Sequence, residues 1–316
     1  MLQLTKLRQR QNVNRAGPFI LTPILQEPTN RGEQCRMKSA RDCRQGDVEY
    51  EFGVPIPGRI LPADQWAKTA IKRLPPDGPV DWGQVFEREA PLILDIGCGN
   101  GRFTLASAIT RPELNHVGID ILPVVIRYAT RRANQRGLKN VRFAVCGGCE
   151  FLERYIAPHS VLEIHVYHPQ PYKDPKKQGN RLLTPGFLAL VFRSLVPDGL
   201  FVLQTDNAAY WRYVRPLVEH FFEFHDQEGP WPDMPEGRTR REIYARLKGL
   251  PVFRGYGKPR ADRDDIQAFE LAAQLPPPVF SAEEDADPLA HDGSTYRPHA
   301  QRTSGRRRSH GRRKRR

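Results

Sequence analysis

Apolar residues in this chain gather into short, nearly unbroken runs separated by longer stretches of mixed character. Leu92–Ile96, His116–Asp120, Val141–Cys146, Val161–His168 and Leu200–Thr205 are such runs, rich in β-branched residues, and they predict strands. Between them Arg102–Thr110, Leu122–Arg136, Cys149–Ile156 and Leu188–Leu195 predict helices. Thr184-Pro185 supplies a hydroxyl cap and a proline suited to the first helical position of the last of these. Asp198-Gly199 marks a turn before the fifth strand. The pattern continues with a helix over Ala208–Phe221, an apolar edge at Phe221–Phe224, a charged loop and then Arg246–Arg254. Strand–helix alternation of this kind predicts an α/β, doubly wound, mostly parallel sheet covered on both faces. Ligands of such sheets bind beyond the carboxyl ends of the strands, where the winding reverses.

Polarity divides the chain into three. Residues 1–50 are polar, basic and without periodicity, and are expected to form a disordered extension. Residues 51–260 are long and apolar enough for one sizeable core. Residues 261–316 turn acidic and proline-rich, as in Leu275-Pro276-Pro277-Pro278, and end in an arginine-rich run from Arg302. This last part is expected to be a solvated linker with a disordered, polyanion-attracting tail. The formal net charge of +13 favours nucleic acid over a small acidic metabolite as partner. Five cysteines show no disulfide spacing, and Cys146-Gly-Gly-Cys149 lacks the second pair that a zinc site needs, so no metal is expected. No apolar run reaches the ~20 residues of a membrane span, and Phe19–Leu25 is interrupted by Pro23. A cytoplasmic monomer is the expectation.

One motif carries more chemistry than the rest. Leu92–Ile96 runs through Asp95 into Gly97-Cys98-Gly99-Asn100-Gly101, and Asp120 closes the next strand. The glycines let backbone approach a ligand closely, and the helix from Arg102 presents free N–H groups to it. The spacing is G-x-G-x-G, not the G-x-G-x-x-G of dinucleotide binders. An acid before the first glycine suits an amino-acid-bearing ligand, and a carboxylate after the second strand suits a ribose. Amino acid plus ribose points to S-adenosyl-L-methionine, held by Asp95, Gly97, Gly99, Gly101, Asp120 and Ile121.

Three later constellations add a second substrate. Tyr167-His168-Pro169-Gln170-Pro171-Tyr172-Lys173 leaves the fourth strand as a stiff loop offering an amide, an aromatic ring and a cation. Thr205-Asp206-Asn207 ends the fifth strand, where Asp206 either serves a site or caps the next helix. Arg238-Thr239-Arg240-Arg241-Glu242 is a mixed-charge segment that residue chemistry alone leaves as a solvated face.

From Leu92 to about Gly255, about half of the chain, these motifs together resemble the bacterial tRNA (guanine-N7)-methyltransferase family of class I methyltransferases. Matching segments are Asp95–Gly101, Asp120, Pro169-Gln170-Pro171-Tyr172, Lys173 through Arg181, Thr205-Asp206 and the T-x-x-E of Thr239–Glu242. The chain departs from the family pattern at Gln170, where an acid is usual, at Tyr172 in place of tryptophan, at Gly147 in place of an acid, and in a diluted basic run from Lys173 to Arg181. The resemblance implies a seven-stranded Rossmann-like sheet and transfer of a methyl group from S-adenosylmethionine to N7 of a guanine in the tRNA variable loop (position 46). It implies Asp206 and Gln170 as catalytic residues, Gly147 as a further cofactor contact, and Lys173, Asp206, Thr239, Arg241 and Glu242 as substrate contacts, with Arg181 also meeting phosphate. The alternatives are a methyltransferase for another RNA or a small-molecule nitrogen, and a catalytically weak RNA-binding protein on the same scaffold.

Overall fold

The computed structural model describes residues 46–282. In chain order the elements are β1 (Tyr50–Glu51), β2 (Val54–Pro55), α1 (Trp82–Phe86), β3 (Leu92–Ile96), α2 (Arg102–Thr110), β4 (Asn115–Asp120), α3 (Pro123–Gln135), β5 (Val141–Val145), α4 (Gly148–Arg154) and β6 (Val161–Tyr167). They continue as α5 (Pro185–Ser194), β7 (Leu195–Thr205), α6 (Ala208–Val218), β8 (Phe222–Asp226), α7 (Arg240–Leu247), β9 (Phe253–Pro259) and α8 (Asp265–Gln274).

Seven strands form one sheet in the order β5-β4-β3-β6-β7-β9-β8. The first five are parallel, while β9 runs antiparallel to both β7 and β8. The five predicted parallel strands are all present. Winding reverses between β3 and β6, so the crevice expected of a doubly wound sheet opens at their carboxyl ends. The central strands are buried on both faces: all five residues of β3 are buried, and Leu94, Val117, Ile119, Ile164 and Leu203 have essentially no exposed surface. That is why their sequences read as apolar runs instead of alternating.

Local signals set the element ends. Thr184 caps α5 by accepting the Phe187 N–H, with Pro185 in the first turn, so the helix starts earlier than its apolar spacing indicated. The Asp198-Gly199 turn lies within β7: Val161 pairs with Leu195 and Glu163 with Leu200, so the extra residues bulge out while the ladder continues. Phe221–Phe224 largely coincides with β8. The stretch Arg246–Arg254 is instead the end of α7, a turn and the start of the reversed strand β9.

Two segments differ from expectation. Residues 46–50 are part of the fold. Phe52 and Gly53 take left-handed conformations that turn β1 back onto β2, and Glu49 and Glu51 reach Arg136, just after α3, and Arg132 on α3. Residues 261–282, expected as a solvated linker, include α8, which packs on α5 through a fully buried Ala268. Asp264 and Gln267 form a reciprocal capping box that starts α8, a signal present in the sequence but masked by its acidic, proline-rich surroundings. Residues 1–45 and 283–316, including the arginine-rich run, lie outside the described residues. Ala268→Glu places an unpaired charge against α5 and is expected to lower stability by about 3 kcal/mol or more in urea unfolding. An unchanged midpoint would return this segment to the status of a linker.

Candidate functional site

The glycine turn sits where β3 meets α2. Gly97, Gly99 and Gly101 all have positive φ, of 77°, 53° and 78°. Gly97 and Cys98 both donate their N–H to the Ile119 carbonyl, at 2.8 and 2.9 Å, which pins the turn to β4. Gly101 is the residue before α2, and a Cβ there would lie 2.8 Å from that of Ala129, so the close approach of α2 to α3 adds a second reason for glycine. Asp120 holds the same turn from its other side: Oδ2 accepts the Gly99 N–H at 3.1 Å and Oδ1 accepts the Leu122 N–H at 2.9 Å. Asp95, almost completely buried, accepts the Thr104 hydroxyl at 2.6 Å. Burial pushes its carboxyl up to about 7, opposed by the Thr104 hydrogen bond and reinforced by the charge of Asp120.

A second cluster forms beyond the carboxyl ends of β6 and β7. His168 follows β6 with φ of 50°, and its Nδ1 lies 2.8 Å from Asp206 Oδ1. Arg241 donates from Nε to Asp206 Oδ2 at 2.7 Å. The neighbouring Gln204 is fully buried, and its Oε1 accepts from Trp231 Nε1 at 2.6 Å and Arg254 Nε at 3.1 Å. Two donors on that oxygen direct the amide NH2 toward His168 Nε2, 2.8 Å away. Nε2 must then accept, so His168 is neutral and carries its proton on Nδ1, facing Asp206. Burial raises the Asp206 carboxyl, but the hydrogen bonds from His168 and Arg241 and the charge of the Arg241 guanidinium outweigh it and hold the group well below the usual carboxylate range. Asp206 is therefore a permanent anion near neutral pH, suited to accepting hydrogen bonds and unsuited to moving protons.

These features lie inside the segment that matches a known family. A family model described as a putative methyltransferase covers residues 89–254, just over half of the chain. The chain belongs to this methyltransferase family. Among curated proteins, the tRNA (guanine-N(7)-)-methyltransferase of Alkalilimnicola ehrlichii is 29% identical over 71% of this chain and 98% of its own length. The protein of the same name from Pseudomonas entomophila is 34% identical over 51% of this chain and 68% of its own. Among solved structures, that of the 16S rRNA methyltransferase KamB aligns over 61% of this chain and 98% of its own, at 17% identity and a TM-score of 0.47.

The cofactor of the methyltransferase is S-adenosylmethionine, and the residues present fit it. A Cβ built at Gly97, Gly99 or Gly147 meets nothing within 4 Å, so open space lies over the turn and over the start of α4. Asp120 accepts the Gly99 and Leu122 N–H groups on its two oxygens, and a carboxylate's remaining acceptor capacity suits ribose hydroxyls. Ile121, just after β4, and Val145, the last residue of β5, are 59% and 46% exposed and offer apolar surface for a purine. Among the described residues no group of three or more His, Cys, Asp and Glu side chains is arranged to hold a metal, and no helix is long and apolar enough to cross a membrane.

Sequence-predicted substrate residues fall into two groups. Gln170 is exposed on the loop after β6, and Asp206 directly follows β7. Arg241 is brought to Asp206 by α7. Thr239 and Glu242, by contrast, are built into the chain. Thr239 caps α7 by accepting the Glu242 N–H at 3.0 Å. Glu242 has no exposed surface; Arg254 donates to its Oε1 at 2.6 Å and the Arg238 N–H to its Oε2 at 2.8 Å. Instead of an open carboxylate at the crevice, the T-x-x-E pattern is a helix start locked by a buried ion pair. Arg181 is likewise buried, with its donors on backbone carbonyls. Lys173 is half-buried on the same loop.

Residue reasoning missed His168 as a partner of Asp206, and missed Gln204, Trp231 and Arg254. A polar residue at the end of the apolar run Phe201-Val202-Leu203 was the available signal for Gln204. Nothing local marks Trp231 or Arg254, which arrive from distant chain. Because Asp95 titrates near 7, its anion is complete above that pH and lost below it. Affinity for the ammonium-bearing cofactor is therefore expected to fall as pH drops from 8 to 6, by up to about tenfold per unit below 7. Calorimetry with S-adenosylmethionine checks this, and Asp95→Asn should flatten the profile.

Proposed function

We propose that this methyltransferase acts on N7 of a guanine in tRNA, at position 46 of the variable loop, as a cytoplasmic monomer. Support comes from relatives that carry the name tRNA (guanine-N(7)-)-methyltransferase at 28–34% identity. A net charge of +13 suits a polyanionic substrate. The observation that carries the reading is the anionic Asp206, fixed by His168 and Arg241 on the sheet edge that also bears the glycine turn.

The chemistry asks little of the protein. Bound S-adenosylmethionine supplies a methyl group already activated on a sulfonium. Guanine N7 carries an in-plane lone pair and no proton, so no general base is needed. What remains is positioning, with reacting atoms brought to about 3–3.5 Å in line. Guanine N1–H and its exocyclic amine are adjacent donors; Asp206 Oδ2 is taken by the Nε and Nη2 of Arg241, so Oδ1, which meets His168, is the oxygen that offers them an acceptor site. Gln170, from the loop after β6, orients the base through its amide. Arg241 and Lys173 lie at the mouth, where phosphate contacts give affinity that falls with salt. Thr239 and Glu242 contribute by holding the first turn of α7, and with it Arg241, in place. A guanine in folded RNA leaves its stack first, at a cost of a few kcal/mol.

The test combines labelled S-adenosylmethionine, unmodified tRNA transcripts and borohydride–aniline cleavage of the product. Cleavage at one variable-loop guanine is expected. Asp206→Asn should lower kcat/KM by between about tenfold and more than a hundredfold, matching a hydrogen bond to a charged group of about 1.5–3 kcal/mol. With no titrating base in the step, kcat should be flat from pH 6 to 9 while the cofactor KM rises on the acid side. Cofactor binding without methyl transfer to any tRNA would overturn the proposal and favour an RNA-binding scaffold.

A further inference from the structure

Arg181 is 2% exposed, and no carboxylate pairs with it among the described residues. Its guanidinium is surrounded by carbonyl oxygens from two places in the chain. Nε donates to Pro171 at 2.7 Å and Nη2 to Tyr172 at 3.1 Å, both in the loop that carries Gln170. On its other side, Nη1 donates to Pro278 at 2.7 Å and Nη2 to Phe280 at 2.9 Å. The Phe280 ring stacks under the guanidinium at 3.6 Å. Burying a cation against neutral dipoles is costly, and burial lowers its proton affinity. The arrangement suits arginine because five N–H donors in a rigid fork serve four carbonyls at once, which the three donors of a lysine ammonium cannot span.

The far side of this contact leads to the other half of the site. Phe280 packs on Tyr210 and Tyr213 of α6, with ring centroids 5.2 and 5.7 Å apart. Tyr213 also donates its hydroxyl to the Pro276 carbonyl at 2.9 Å. Asn207, the residue after Asp206, caps α6. Residues 276–280 thus lie as a wedge between the loop after β6 and the helix after β7. That loop needs support, because His168 and Tyr172 both have positive φ, at 50° and 43°, and neither is glycine.

We infer that Arg181 is a positioning residue for the substrate loop, and that the C-terminal segment 276–280 is the brace it works against. The brace fixes Gln170 and the His168–Asp206 hydrogen bond relative to each other, although it touches neither base nor cofactor. This rests on the proposed methyl transfer to tRNA only for its kinetic readout.

The experiment compares full-length protein with a chain ending at Ala282, a chain ending at Leu275, Phe280→Ala, Arg181→Lys and Arg181→Ala. Steady-state kinetics on tRNA, S-adenosylmethionine affinity by calorimetry, thermal melting and trypsin cleavage after Lys173, Lys176 and Lys177 are read for each. Ending at Ala282 keeps the brace and should leave kcat and loop cleavage unchanged, whatever the basic tail does for tRNA KM. Ending at Leu275 and Phe280→Ala should lower kcat tenfold or more and speed cleavage in the loop, with cofactor affinity within twofold. Arg181→Lys should resemble Arg181→Ala in kcat despite keeping the charge. Full kcat in the Leu275 chain, full rescue by lysine, or a parallel loss of cofactor affinity would each overturn the inference. If the wild-type protein methylates no tRNA, the functional proposal fails while the protease readout still decides the brace.

Discussion

The buried amide of Gln204 leaves its neighbours little choice. Its oxygen is occupied by Trp231 and Arg254, so its nitrogen must find an acceptor, and His168 Nε2 is the one within reach. That places the imidazole proton on Nδ1 and directs it at Asp206. Arg254 meanwhile pairs with Glu242, which in turn receives the N–H of Arg238. One continuous network therefore joins the end of β7, the exit of β6, the start of α7 and the antiparallel strand β9. Buried ion pairs such as Arg254–Glu242 contribute little net stability, since desolvation offsets their attraction, but removing one partner strands the other at high cost. Their value here is geometric: α7 has one place to sit, and Arg241 arrives at Asp206 because of it.

The cofactor side is ordered by a different means. Asp120 organises the turn from outside through the Gly99 N–H while the Ile119 carbonyl takes two further N–H groups. The turn is held by its neighbours in the next strand, so little ordering remains to be done when a ligand arrives. Asp95 and Asp206 illustrate how surroundings separate two carboxylates. Both are largely buried, but among the described residues Asp95 has only the Thr104 hydroxyl as a hydrogen-bond donor and rises to about 7, whereas Asp206 has an imidazole and a guanidinium and falls to about 2. One is sensitive to pH in the physiological range and the other is a fixed anion.

Two arginines follow the same logic at longer range. Arg181, expected to meet phosphate, and Arg254 are both consumed in joining remote pieces of chain. In a basic chain, cations are naturally assigned to phosphates. Burial separates the structural arginines from those left at the mouth, such as the partly exposed Arg241.

The five parallel strands, the glycine turn, Asp120 and the capping of α5 were legible because each depends on neighbours within a few residues: apolar runs, φ > 0 at glycine, a hydroxyl before proline. Asp206 and Gln170 were legible as residues at strand ends, where doubly wound sheets place their ligands. The bounds of the reversed strand β9, the folded segment 261–282 and the partners of Asp206 were not, since each is defined by a contact between distant positions. Glu242 shows the limit most clearly. Residue chemistry left its segment as a solvated face, whereas the chain uses Thr239 to cap α7, and whether the Glu242 carboxylate faced the crevice or the interior depended on Arg254, brought by β9. Local chemistry set the elements and the cofactor turn; the crossing of β9 and the docking of the C-terminal segment decided which charges were left to meet a substrate, because burial is a property of the assembled chain.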